Sequence, residues 1–157
     1  MSQQLKAPPS RLDGPPPVVR AAAAAWVAAV AAGVVETIGT IAYLASSASA
    51  EVSPAEIGTR AVVYTIVLLV VAQFWQGRRW ARTALGLGLG VVGLLSLVAD
   101  PISWLIEGHS LRDALSSAEL SLALVITIRT VHVAAVVAAC ALMFRPAANR
   151  YFSRLRG

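Results

Sequence analysis

AVVYTIVLLVVAQFWQG (residues 61–77), RRWAR (78–82) and TALGLGLGVVGLLSLVA (83–99) follow one another directly. Two uncharged runs of seventeen residues thus flank a short link that holds three arginines. Seventeen residues is close to the shortest helix that crosses a hydrocarbon core of roughly 30 Å, and flanking arginines extend its reach by turning their heads back to the surface. The stretch reads as two membrane-crossing helices joined by a tight turn.

The remainder of the chain agrees with that reading. Of 157 residues, 57% are hydrophobic and only 13% charged, and the mean hydropathy of +0.71 exceeds what one soluble core of this size can hide. An ordinary soluble enzyme is excluded. A run rich in Ala and Val at 21–46 supplies another span, with Trp26 and Tyr43 placed near its ends as interfacial aromatics are. A fourth, at 119–144, carries Arg129 and His132. Four spans at 21–46, 61–77, 83–99 and 119–144 make one membrane domain over 20–145. The predicted fold is all-α, a polytopic antiparallel bundle of four transmembrane helices.

Residues 1–19 contain five of the eight prolines and predict a disordered tail; a Pro-rich docking motif is the sharper alternative. The segment 46–60 reads as a polar, acidic loop broken by Pro54 and Gly58. Asp100-Pro101 is expected to end the third span, and 102–107 to lie flat on the membrane surface. Ser110 with Asp113 resembles an N-cap that opens the last helix. Arg145-Pro146 closes that helix and leaves 146–157 as a basic tail. Arg11, Arg20 and Ala48-Ser49-Ala50 invite comparison with a cleavable export signal. The run 21–50, interrupted by Glu36, is much longer than the ~7–15 apolar residues of such a signal, so the first span is expected to remain.

Ten of the thirteen Lys and Arg lie in the amino tail, the middle turn and the carboxyl tail, whereas the other two connections hold Arg60 and Arg112 among six carboxylates. The positive-inside rule then places both termini in the cytoplasm. Twelve of the thirteen cations are arginine, which with the Ala and Val richness looks like a high-GC bacterial genome, so the expected location is a bacterial inner membrane. The cations form no soluble basic face interleaved with aromatics, so no nucleic acid is expected as a partner.

Glu36 and Arg129 are the two charges within the spans. A lone ionised side chain there costs at least ~2.5–3.5 kcal/mol on insertion scales. Glu36 follows Arg20 by sixteen residues and Arg129 precedes Arg145 by sixteen, so at ~1.5 Å per residue both lie ~24 Å from the inner boundary. Their equal depth predicts an ion pair between the first and fourth helices. His132 shares a face with Arg129, while Thr40 and Tyr43 share one with Glu36. Thr37, Thr127 and Thr130 either join this cluster or bond back to their own helix carbonyls. The cluster either specifies helix packing or forms a proton- or ligand-responsive site, histidine being the side-chain type that changes charge near neutral pH.

Gly86, Gly90 and Gly93 share a face of the third span suited to close helix approach, within the bundle or between copies. Arg78, Arg79 and Arg82 suit anionic headgroups at the inner face, or serve as plain topology anchors. Cys140 is the only cysteine, so an intramolecular disulfide is impossible. His109 and His132 sit too far apart in depth for a two-histidine haem or metal site. The glycine run lacks the Lys-Ser/Thr end of a phosphate loop. No cofactor is expected.

The 77–82 turn GRRWAR, the glycine-leucine span after it and the exit FRPAANRYF at 144–152 resemble small four-span membrane proteins of actinobacteria. Those proteins are mostly uncharacterised, so the resemblance implies topology and source but no catalytic residues. The expected role is a non-enzymatic accessory or scaffold subunit that packs against a larger membrane complex or self-associates. The alternative is a small proton-coupled exporter that uses Glu36, as exporters of the small multidrug resistance type use a glutamate in their first helix. Reporter fusions at Pro54 and His109 should both read external; a cytoplasmic signal at either would overturn the orientation.

Overall fold

The computed structural model describes residues 14–46, 53–108, 110 and 120–154. Five helices and no strands occur among them: α1 Pro17–Ser46, α2 Pro54–Trp75, α3 Arg79–Ile106, α4 Leu120–Met143 and α5 Pro146–Arg154. The first four are long and apolar enough to cross a membrane. The fold is an all-α antiparallel bundle. Gly33 of α1 faces Tyr64 of α2 and His132 of α4, and Gly90 of α3 faces Cys140 of α4. α1 therefore lies between α2 and α4, α4 lies between α1 and α3, and α2 meets α3 mainly near their shared turn.

Prolines start more helices here than the sequence reading allowed. Pro17, Pro54 and Pro146 each occupy a first helical position, where the missing N–H has no intrahelical use and the fixed φ suits the helix. The first helix thus takes in 17–19 of the expected tail, and residues 1–13 lie outside the described part. The expected 46–60 loop is likewise helical from Pro54 onward, with Glu56 in the favourable first turn. Glu56 also pairs with Arg60 one turn later at 2.9 Å.

Pro101 does not end the third span: α3 continues through it to Ile106. One ladder bond is lost there and the carbonyl of Leu97 is crowded, a defect that membrane helices tolerate. Residues 102–106 consequently extend α3 and do not form a separate surface segment. The stop comes at Gly108, whose φ of +88° only glycine adopts readily. Gly77 ends α2 in the same way, with φ +83°. There the amide of Gly77 donates to Phe74 O and that of Arg78 to Gln73 O, the paired bonds of a Schellman cap. Of the expected N-cap, Ser110 is described, whereas its partner Asp113 and the entry of the last span at Glu119 fall outside the described residues. Between Leu85 and Gly93, α3 winds as a π-helix.

The apolar core gathers at the end that holds the α2–α3 turn and α5. Val19, Trp26, Phe74, Leu85 and Met143 are fully buried there. Trp26 is therefore a core residue and not an interfacial one, with its Nε1 lacking an acceptor. Small side chains make this possible: Ala22, Ala23 and Ala29 are buried on α1, as is Ala139 on α4. Part of the expected basic tail is helical, because α5 folds back under the bundle, buries Ala148 and Phe152, and sets Phe152 5.3 Å from Phe74, ring centre to ring centre. Phe152→Ala should destabilise the protein by about 3 kcal/mol, whereas Leu69→Ala on the exposed side of α2 should change little. Thermal unfolding in mild detergent checks the contrast.

Candidate functional site

One stretch of α1, Gly33 to Thr37, brings polar groups of three candidate spans together. Glu36 Oε1 lies 3.6 Å from Arg129 Nε, and Glu36 Oε2 lies 3.4 Å from His132 Nδ1. Arg129 and His132 stand three residues apart on α4, so one helical face presents both to the same carboxylate. The Glu36 and His132 side chains are 18% and 17% exposed, and Arg129 is 37% exposed. The contacts are long for hydrogen bonds; Coulomb attraction in a poorly screened setting is what joins α1 to α4 here.

On the other flank of α1, Thr37 Oγ1 donates to Gly33 O at 2.9 Å and lies 2.8 Å from Tyr64 Oη. Tyr64 Oη is also 2.7 Å from Gly33 O, within donating distance. Arg60 Nη1 reaches Thr37 Oγ1 at 3.5 Å. Gly33 makes the crowding possible. A Cβ on it would stand 3.2 Å from His132 Cε1 and 3.2 Å from Tyr64 Oη, so its bare backbone admits a ring from each neighbouring helix.

Sequence reasoning named Glu36, Arg129 and His132, and the structure brings these three together. Thr40 is elsewhere: its hydroxyl bonds back to Glu36 O at 2.9 Å on an exposed face. The Tyr43 side chain lies outside the described part. Thr127 and Thr130 also bond back, to Ala123 O and Ile126 O. Gly33 and Tyr64 went unnamed in the sequence, and Arg60 was read there only as a cation of a connecting loop. A signal for them existed in Arg60 and Tyr64 at a spacing of four, and in a lone glycine three residues before Glu36.

Chemically, the arrangement holds one carboxylate between a guanidinium and an imidazole. Both hydroxyls next to it converge on a backbone carbonyl, which accepts a hydrogen bond but passes no proton onward. Among the described residues, no three of His, Cys, Asp and Glu gather as metal ligands.

Of the glycine face, Gly86 and Gly90 meet α4. A Cβ on Gly86 would come within 3.2 Å of Met143 Cε, and one on Gly90 within 2.7 Å of Cys140 Sγ. Gly93 meets only its own helix. Of the basic turn, Arg78 is exposed, while Arg79 and Arg82 grip α5. Arg79 Nε donates to Phe152 O at 2.8 Å. Arg82 Nη2 donates to Asn149 Oδ1, and its guanidinium stacks 4.6 Å from the Phe144 ring centre.

The chain matches no family model, no curated protein and no solved structure.

Glu36→Gln should destabilise the protein by about 1–3 kcal/mol, because it leaves Arg129 without its counter-charge. Glu36→Gln with Arg129→Met should recover part of that loss in a double-mutant cycle. Strictly additive losses would show that the two groups do not interact.

Proposed function

We propose that the chain is a non-enzymatic accessory or scaffold subunit of a bacterial inner membrane, which packs against a larger membrane complex or another copy of itself. The observation that carries this reading is the direction of the polar contacts between the candidate spans. Glu36 reaches across to α4, whereas Tyr64 and Arg60 of α2 reach across to Thr37 of α1. Polar groups used in this manner specify which helix faces meet. The outward faces of α2 and α3 are apolar, with Val62, Leu69, Leu87 and Val92 exposed, and such surfaces suit lipid or the helices of a partner. The positive-inside bias supports cytoplasmic termini, and the actinobacterial likeness of the 77–82 turn and the 144–152 exit supports the source.

A second reading, a small proton-coupled transporter, draws on the 3.4 Å approach of His132 to Glu36, since an intramembrane acid beside an imidazole is a common proton-handling pair. Extraction of the tagged full chain in mild detergent should yield a stoichiometric larger assembly or a defined homo-oligomer. Proton-coupled flux in liposomes that disappears in Glu36→Gln would instead overturn the accessory role.

A further inference from the structure

A groove of about 580 Å³ runs between the start of α3, the end of α4 and α5. Arg79, Arg82 and Asn149 line it near the α2–α3 turn, and Gly86, Leu87 and Val91 carry it deeper along α3. Its lining contains two guanidinium groups and no carboxylate. Both cations are held in place before any ligand arrives, Arg79 by the Phe152 carbonyl and Arg82 by Asn149 and the Phe144 ring. Little side-chain freedom is left to lose on binding. Each guanidinium fork has five N–H donors, and these bonds engage only some of them.

The dimensions suit one class of ligand. Val91 follows Arg79 by twelve residues, about 18 Å along an ideal helix and somewhat less through the wider π turns. That is close to half of a hydrocarbon core of roughly 30 Å, the depth of one leaflet. A second groove, of about 910 Å³ between α1 and α2, has Arg20 as its sole charged lining residue. The α3–α4–α5 groove is distinguished by paired guanidinium groups at one end and an apolar lane at the other, matching a headgroup phosphate and an acyl chain.

We propose that this groove binds one anionic phospholipid of the leaflet next to the termini, with its phosphate on Arg79 and Arg82 and an acyl chain along Gly86, Leu87 and Val91. Occupancy would brace α5 against α3 at the end where the core lies. The site is independent of whether the chain serves as an accessory subunit or a transporter.

The test uses the full chain in mild detergent, exchanged with mixed phosphatidylglycerol and phosphatidylcholine and read by native mass spectrometry. One phosphatidylglycerol per chain should be retained, preferred over phosphatidylcholine by roughly tenfold or more, as expected for a charge-assisted contact. Arg79→Gln should abolish the preference. Leu87→Trp, which obstructs the apolar lane and spares both arginines, should reduce phosphatidylglycerol retention by about tenfold. Circular dichroism confirms the fold of each variant, and because Leu87 is 62% exposed its replacement keeps the test open should Arg79→Gln fail to fold. Equal retention of the two lipids would overturn the proposal. So would undiminished retention in Leu87→Trp, or displacement of the lipid by millimolar inorganic phosphate.

Discussion

A carboxylate within an apolar helix long enough to cross a membrane has few permitted surroundings, and Glu36 is such a carboxylate. Among the described residues its close polar partners across helices are on α4, the Arg129 guanidinium at 3.6 Å and the His132 imidazole at 3.4 Å. An ionised group left without a partner in an apolar setting is costly, so sliding or rotating one helix past the other by a turn would separate Glu36 from both groups. The contact therefore fixes both which helix accompanies α1 and the level at which the two cross. α1 packs along α4 more extensively than along any other helix, and the ion pair holds the register of that packing.

The bundle is organised around this level in two different ways. Toward the termini, packing is apolar and close: alanines on α1 and α4 let Trp26, Phe74 and Met143 fill the space between helices, and α5 closes the end. At the polar level itself, Gly33 takes the place of alanine and admits Tyr64 and His132 from opposite sides. Beyond it, Ile38, Gly39 and Thr40 of α1 are exposed. Hydrophobic packing and polar contact thus divide the length of α1, one supplying contact area and the other register. The polar contacts are thus turned to the interior, while the outward faces of α2 and α3 are apolar.

How much of this could be read beforehand depended on the physical origin of each feature. The pairing of Glu36 with Arg129 was legible because helix rise is constant, so residue separation from a boundary arginine converts directly into depth. Trp26 was misplaced because nearness to a span end does not tell whether a side chain faces lipid or a neighbour. Pro54, Pro101 and Pro146 were all read as breaks; two begin helices and one lies inside a helix, since the effect of proline depends on where the unsatisfied amides fall. Tyr64 could not be assigned to Gly33, because α1, α2 and α4 carry apolar residues on all sides and no periodicity marks the face turned inward. The amphipathic pattern of α5 was present in 146–154, hidden by treating Pro146 as the end of structure.

The amino-acid sequence by itself determined four helices long and apolar enough to cross a membrane and the matching level of Glu36 and Arg129, because span length and helix rise are properties of one segment and its solvent. Tertiary structure alone decided that α1 is the central helix, that Tyr64 and His132 meet at Gly33, and that Arg79 and Arg82 hold α5 beside an open groove. Those features arise where faces of different helices touch, and in helices apolar all round the choice of face is made by packing, not by local composition.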